Sequence, residues 1–475
     1  MEFKEFLDTM SGQIRSQKAR AVAVREMEDH IRDQADFYES QGMSGGDALK
    51  EAVRQMGDPV DVGVELDRIH RPDMEWRLFG WIVAFSGMGL VIQYLCFYCV
   101  NVAPGVNGQS QWILGDSTGS FVRQCVYTAV GLGIMAVICL LDYSVIGKYA
   151  EVLTICLFAA VVFVCTFDVV RKVNGAYGTL KSLMYLFVPL FGGICYRMRG
   201  KGYIGLGICC LWIGAVFFVG GSVIGGGFGV TIDVIAVCLL MVFGAAWRGW
   251  FHPDGKRGIR AVFGLGTALA VVAELFFKFG LSPYQIERLQ VWLHPEDYAD
   301  TGGYSIMTIR RIVASLAANG NCFEALEESG LQWFLYSEGN GGDFMILQTA
   351  VTLGFLKTVG ILVLFGAFFF YLFRMAAREK NRLGRMMGFG CTLMLTVETV
   401  RNVLYNFGVG LGSTAGIPFL SFGKVHTLAV YVLLGVLLSI YRYRNLVWEE
   451  PVKAGDGGKV KIGGYVIRVE KRVKS

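Results

Sequence analysis

Charged residues are scarce in most of this 475-residue chain, and their scarcity excludes several classes of protein. Of its 83 charged side chains, 28 fall within residues 1–77 and only 55 in the remaining 398. The chain is 54% hydrophobic, with a mean hydropathy of +0.48. A soluble fold could not bury that much apolar surface, and a disordered chain would carry more charge. The composition therefore predicts a polytopic membrane protein with a small charged head.

The chain also lacks the histidine and cysteine patterns of a metal centre or a disulfide scaffold. Its five histidines are scattered, without the spacing of metal ligands. Eleven of the 12 cysteines lie in apolar runs, where cysteine packs as a small hydrophobe. Cys322 lies in a polar loop without a loop partner, so we expect no structural disulfides.

Residues 1–77 predict a soluble domain of three helices. Apolar residues at spacings of three and four give the first helix one apolar face between Val24 and Tyr38. Ser44 and Asp58 are placed to cap the other two helices. The segments EMEDHIRDQADFYESQG and DALKEAVRQMGDPVDVGVEL resemble the three-helix prefix domain found ahead of bacterial permeases and signalling proteins. That resemblance implies an adaptor, and the alternative is a charged cap without a specific partner.

Ten apolar runs after Trp76 are long enough to cross ~30 Å of hydrocarbon. They lie near 78–100, 121–141, 149–168, 179–197, 203–220, 228–247, 259–279, 343–373, 386–410 and 418–441. Basic residues concentrate after the fourth, sixth and eighth runs and in the tail, 443–475. Because positive loops stay in the cytoplasm, we predict that both termini are cytoplasmic. The tail could form a short hairpin around Gly463 or lie against anionic headgroups.

Residues 280–342 form a predicted outer loop, whose length of about sixty residues favours a functional role. Apolar residues recur between Ile306 and Leu316 at helical spacing. They predict an amphipathic helix lying at the membrane interface. The end of the loop, SEGNGGDF, places Asp343 at the outer mouth of the eighth run.

Ionisable residues inside apolar runs are costly, so each is a functional candidate. A rise of about 1.5 Å per residue predicts a polar layer beneath Asp343, made by Glu274, Gln348, Glu398 and Arg401. Two interpretations stay open. Glu398 and Arg401 are three residues apart and could simply neutralise each other, or the layer could line a hydrated cavity under a catalytic or binding carboxylate. Asp233 and Lys357 also lie in runs, and the sequence does not pair them.

The order and spacing of several motifs resemble those of the SEDS family, the shape, elongation, division and sporulation proteins that include RodA, FtsW and SpoVE. The matching segments are FVRQ (121–124), SPYQIERLQVWLHP (282–295), GGYSIMTIRRIVASLAANG (302–320), GGDFMILQTAVTLGF (341–355), LYNFGVGLG (404–412) and IPFLSFG (417–423). The family has ten spans and a large outer loop before the eighth. The resemblance therefore implies an all-α transmembrane domain at 78–442 in the bacterial cytoplasmic membrane.

The resemblance also implies glycosyl transfer, because the family polymerises peptidoglycan glycan strands from lipid II, with an undecaprenyl-pyrophosphate leaving group. Asp343 matches the position of the family's general base, which would take the proton of the acceptor sugar's 4-hydroxyl. Arg288, Arg310 and Arg311 are the candidates to offset the pyrophosphate charge. A divalent cation could assist. The expected partners are lipid II, the bilayer and a class B penicillin-binding protein, with no nucleic acid.

Two other functions fit the same sequence. The family's Pro-Ser-Glu stretch is absent after NGAYG (174–178), and Val351 and Thr352 replace its paired glutamates. Lys424 and His426 stand where the family has small residues. These departures favour a non-catalytic scaffold for a transpeptidase. The intramembrane charges would also suit a transporter of lipid-linked sugars, although no internal repeat is evident.

Overall fold

The structure is a computed structural model, and its described residues are largely helical. It describes residues 2–15, 17–69, 72–102, 110–167, 178–224, 228–251, 260, 263–264, 266, 287, 290–320, 322, 326, 329, 331, 334–335, 343–409, 416–444, 459–462 and 465–468. These residues divide into two compact units, Met1–Glu75 with Ile440–Trp448, and Trp76–Ser439 with Glu449–Ser475.

The first unit contains one helix more than the three predicted. Its helices are α1 (Phe3–Gly12), α2 (Gln17–Ser40), α3 (Gly45–Gln55) and α4 (Pro59–Ile69). The additional helix is α1, whose Phe6, Leu7 and Met10 are buried against Ile31 and Val53. These apolar residues follow helical spacing within MEFKEFLDTM, a signal that the prediction overlooked.

The end of the last long helix belongs to this first unit. Tyr443 packs against the cluster of Ile14, Ala19 and Ala23. The backbone N–H of Asp73 donates to the carbonyl of Arg442 at 3.2 Å. Within this unit, the segment before Trp76 and the segment that begins at Ile440 therefore share an apolar contact and a backbone hydrogen bond.

The second unit holds the remaining helices, apart from the end of the last one. They are α5 (Trp76–Val102), α6 (Ser110–Leu140), α7 (Tyr143–Lys148), α8 (Ala150–Thr166), α9 (Phe187–Arg197), α10 (Gly202–Phe218), α11 (Phe228–Trp247), α12 (Tyr304–Ala314), α13 (Met345–Leu353), α14 (Phe355–Arg378), α15 (Arg382–Asn406) and α16 (Lys424–Arg442). A 3₁₀ segment, Gly178–Leu186, leads into α9, and a π turn, Val219–Val223, follows α10.

Six helices of the described part of the chain are long and apolar enough to cross a membrane. Their apolar stretches are Trp76–Cys96, Gly119–Leu140, Gly202–Gly221, Gly229–Trp247, Phe355–Arg378 and Lys424–Arg442. Each overlaps one of the predicted runs. The predicted run at 259–279 lies outside the described residues, apart from positions 260, 263–264 and 266.

The run predicted at 343–373 is two helices, not one span. Gly354 interrupts it with φ +96° and ψ 158°, a conformation nearly restricted to glycine. The next two amides, of Phe355 and Leu356, donate to the carbonyls of Ala317 and Ala318 in the outer loop, each at 3.0 Å. The 24 residues of α14 rise about 36 Å and can cross the bilayer alone. The span therefore begins at residue 355, and α13 precedes it.

The described part of the outer loop packs against α13. The predicted amphipathic helix is present as α12, with Thr308, Ile309 and Ile312 buried. This face joins an apolar cluster shared by the loop and α13, made by Ile309, Ile312, Cys322, Leu326, Phe334, Leu335, Phe344, Leu347 and Val351. The apolar face of α12 thus packs against protein, and the position of this helix at the membrane interface stays a prediction.

A two-stranded antiparallel hairpin lies near the carboxyl end of the chain. Its strands are β1 (Lys459–Ile462) and β2 (Tyr465–Arg468), with Ile462 opposite Tyr465. The hairpin predicted around Gly463 is therefore present.

Candidate active site

Asp343 is fixed at the end of α15 by two asparagines. The side-chain amide of Asn406 donates to the carbonyl oxygen of Asp343 at 2.9 Å, and that of Asn402 does so at 3.4 Å. The Oδ1 atom of Asn406 accepts the backbone N–H of Leu347 at 3.0 Å. Asn406 is itself oriented by Oδ1 of Asn402 at 3.0 Å. One buried side chain therefore ties both ends of the turn from Asp343 to Leu347 to α15.

Aromatic packing completes the attachment of this turn. The ring of Phe344 stacks on Tyr405 of α15, with centroids 5.2 Å apart, and contacts Phe334 of the outer loop at 5.3 Å. Residues 345–352 are all buried. The backbone that carries Asp343 is thus held by rigid elements on both sides, which suits a group that must be positioned for chemistry.

Burial and neighbouring charges oppose each other at Asp343. Burial raises the pKa of this carboxyl to about 6, because removal from water disfavours its charged form. The charges of Lys181, His426 and Arg401 act in the opposite direction and lower the pKa. A carboxyl with this balance is largely ionised at pH 7 and remains basic enough to accept a proton.

Glu398 does not pair with Arg401, contrary to one of the two interpretations. Glu398 is 1% exposed, and its Oε1 atom lies 2.5 Å from Nε2 of His426. The hydroxyl of Tyr185 donates to the same oxygen at 3.0 Å. Positions three apart on a helix differ by about 60° in direction, so two such residues can contact different neighbours. Glu398 is directed to α16 and to the 3₁₀ segment before α9.

Arg401 pairs instead with Asp233 of α11. Its Nε atom lies 2.6 Å from Oδ2 of Asp233, and both side chains are largely buried. Both residues were noted in the sequence as charges within apolar runs, but the sequence did not predict that they pair. The helices α11 and α15 are therefore linked by an ion pair at the level of the Asp343 site, where an unpaired charge would be costly.

The structure describes three of the five other predicted site residues. Gln348 is buried on α13, which is not a continuation of the span as the prediction assumed. Arg310 donates from Nε to the carbonyl of Gly408 at 3.1 Å and lies 3.6 Å from Glu296. Arg311 is exposed on α12. Arg288 and Glu274 lie outside the described residues.

Sequence reasoning missed Lys181 and Tyr185 and treated His426 only as a departure from a motif. Lys181 lies in the predicted run at 179–197, so the rule for ionisable residues within runs could have found it. The hydroxyl of Tyr185 carries no such signal. Among the described residues, no group of three or more His, Cys, Asp or Glu side chains could hold a metal ion.

Comparison with known proteins identifies a family and several relatives. The profile of the FTSW_RODA_SPOVE family, described as "Cell cycle protein", matches residues 202–446, slightly more than half of the chain. A "Probable peptidoglycan glycosyltransferase FtsW" of Aromatoleum aromaticum is 25% identical over 428 residues, covering 86% of this chain and 95% of that protein. The match to the protein of the same description from Trichlorobacter lovleyi is 25% identical over 215 residues, and covers 45% of this chain and about half of that relative (51%).

A solved structure shares the fold. It is a chain from the work "Structural coordination of polymerization and crosslinking by a peptidoglycan synthase complex". The TM-score is 0.57 at 20% identity, covering 78% of this chain and 98% of that chain. At this identity the likeness concerns the fold alone.

Proposed function

Because this chain belongs to the FtsW/RodA/SpoVE family of cell cycle proteins, we propose that it polymerises peptidoglycan glycan strands from lipid II, with Asp343 as the general base. The chain is a multi-pass protein of the bacterial inner membrane, as its apolar helices and its family indicate. In the proposed orientation both termini are cytoplasmic, and Asp343 faces the outer side.

One observation carries the proposal: Asp343 is an acid on a rigidly held backbone, and burial raises its pKa to about 6. Its backbone is tied to α15 through Asn406. Burial places its pKa about two units above that of an ordinary aspartate, and three cations keep it from rising further. A general base is most efficient when its pKa lies close to the working pH. A solvated aspartate would be ionised at pH 7 and a much weaker base.

The proposed reaction transfers one glycosyl group. Asp343 removes the proton from the acceptor sugar's 4-hydroxyl while that oxygen attacks the anomeric carbon of the donor. A new glycosidic bond forms, and the bond from the anomeric carbon to the undecaprenyl pyrophosphate breaks, so that the pyrophosphate leaves with both electrons. Arginines of the outer loop, among them Arg310 and Arg311, are proposed to offset its charge.

The proposed partner is a class B penicillin-binding protein, a transpeptidase that would crosslink the new strands. The related fold in a peptidoglycan synthase complex supports this proposal. A chain that only bound the transpeptidase would fit the same family and fold, so the experiment has to detect the polymer itself.

The test supplies lipid II to the purified chain in lipid vesicles and measures glycan polymer on gels. We expect wild-type protein to polymerise and Asp343→Asn to lower the rate by at least ~100-fold, the usual contribution of a general base. Asp300→Asn is the matched control, because Asp300 is an exposed acid of the outer loop. Its rate should equal that of the wild type.

Two other outcomes would contradict the proposed function. Equal polymerisation by Asp343→Asn would remove this residue from the mechanism. If wild-type protein made no polymer but co-purified with a transpeptidase, the chain would be assigned the role of a scaffold and not of a polymerase.

A further inference from the structure

A buried histidine and a buried glutamate form a pair beside the Asp343 site. His426 is 6% exposed and Glu398 1%. Their Nε2 and Oε1 atoms are 2.5 Å apart, and Tyr185 donates a hydrogen bond to the same Oε1. The Oε2 atom of Glu398 is buried without a hydrogen-bond partner among the described residues. Burying such a pair is costly and adds little to stability by itself.

The backbone around His426 leaves room for its ring. Gly416 has φ +136°, and a Cβ atom there would lie 3.1 Å from Cε1 of the His426 ring and 2.8 Å from Cβ of Ser421. The hydroxyl of Ser421 accepts the N–H of Ile417 at 2.8 Å and closes the turn before α16. His426 therefore occupies a space bounded by a glycine and a hydrogen-bonded turn.

The pair and the attachment of Asp343 lie on the same face of α15. Glu398, Asn402 and Asn406 follow each other at intervals of four, so they lie one above the other along the helix. Glu398 holds His426, and the two asparagines hold the carbonyl of Asp343. The face of α15 that holds the turn of Asp343 thus also holds the imidazole of His426, one helical turn further along. The charge of His426 lowers the pKa of Asp343.

Other ionisable groups also face this centre and belong to the same balance. Lys181 and Tyr185 come from the 3₁₀ segment before α9, and Arg401 comes from α15. Asp233 of α11 neutralises Arg401 at 2.6 Å. His426 is the member of this set that comes from α16, and Glu398 holds its ring by a hydrogen bond.

We propose that His426, held by Glu398 and Tyr185, is a positioning residue of the Asp343 site that sets the lower end of the pH range in which the enzyme works. The inference rests on the proposed function and assigns a new role within that same site. Asp343 accepts the proton, and His426 does not contact the reacting atoms.

The test compares the pH dependence of wild-type protein with that of two neutral variants, His426→Gln and His426→Asn. One readout is the rate of lipid II polymerisation from pH 5 to 8. The other is labelling of Asp343 by dicyclohexylcarbodiimide, which reacts with the protonated carboxyl, measured by mass spectrometry without substrate. Labelling does not require catalysis, so it separates failure of this inference from failure of the proposed polymerase. Lys424→Gln is the matched control, since Lys424 is an exposed cation in the first turn of the same helix.

We expect the midpoints of labelling and of rate to move to higher pH in the His426 variants. The His426 charge lowers the pKa of Asp343, so its loss raises that pKa from about 6. A neighbouring charge typically moves a carboxyl by one unit or more, so both midpoints should move up by roughly one pH unit. At pH 6.5 the ionised fraction, and with it the rate, would then fall about threefold. Lys424→Gln should leave both midpoints unchanged.

Two results would overturn the proposal. One is an unchanged labelling midpoint in a folded His426 variant. The other is a rate that falls equally at every pH, which would assign His426 a purely structural role. Two variants of different size are used because one of them could fail to pack. Folding is checked by the thermal unfolding of each variant.

Discussion

Replacing Gly354 by alanine should locally open the junction between α13 and α14. Gly354 has φ +96° and ψ 158°, a backbone conformation that residues other than glycine rarely adopt. A Cβ atom there would lie 2.9 Å from Cα of Asn319 and 2.9 Å from N of Gly320. Both are backbone atoms, so they cannot move aside as a flexible side chain could. The outer-loop segment and the helix junction would have to separate.

The size of the effect follows from two contributions. Holding alanine in this region of backbone conformation costs about 1–3 kcal/mol. Forcing a methyl group into an occupied space adds roughly 1–3 kcal/mol. A local loss of about 2 kcal/mol, near the lower limit of their sum, already changes an opening equilibrium by about 30-fold.

Hydrogen exchange measures this opening at two defined amides. The N–H groups of Phe355 and Leu356 donate to the carbonyls of Ala317 and Ala318 across the junction, each at 3.0 Å. In Gly354→Ala we expect a peptide covering these amides to exchange at least about 30-fold faster. Gly360→Ala is the control, because Gly360 lies in α14 with nothing within 4 Å of its added Cβ. Equal protection in Gly354→Ala and wild type would refute the contact between the outer loop and the helix junction.

Two further substitutions test the packing and the charges of the second unit. Gly131→Ala should lower the thermal stability of the purified protein by about 1–3 kcal/mol, because its Cβ would lie 2.2 Å from the Tyr431 ring, whereas Gly133→Ala, with nothing within 4 Å, should not. Arg401→Gln should cost about 3–5 kcal/mol by leaving Asp233 buried without its cation. The double variant Arg401→Gln/Asp233→Asn should recover most of that loss in a double-mutant cycle, and additive losses would contradict a direct ion pair.

Six of the ten runs that hydropathy predicted overlap long apolar helices of the described residues, and the prediction failed where the backbone breaks within an apolar run. Residues 343–373 are almost continuously apolar, so the sequence predicted one span. The break at Gly354 depends on its positive φ and on carbonyls of the outer loop. Neither is visible in the local sequence, because the carbonyl groups lie more than 35 residues away in the chain. For the same reason the sequence did not predict that the apolar face of α12 packs against α13.

The site was predictable by residue type and not by pairing. The cost of burying charge singled out Glu398 and Arg401, and a motif singled out Asp343. Their partners come from distant parts of the chain: Tyr185 is 213 positions from Glu398. A single sequence carries no information on such contacts. His426 was identified only as an unexpected residue, since a lone histidine in an apolar run has no periodic signal.

The buried charges of this site depend on one another, and that dependence decides which measurement is informative. Glu398 is buried against the imidazole of His426, and Asp233 is buried against Arg401, so each pair loses a partner when one member is removed. Removing His426 therefore has two effects: it leaves Glu398 without one of its two hydrogen-bond partners, and it removes an influence that lowers the pKa of Asp343. The first effect lowers the amount of folded protein at every pH. Only the second moves the midpoint of the Asp343 titration. A shift in midpoint, and not a loss of polymer, is thus the signature of a histidine that acts on the catalytic carboxyl.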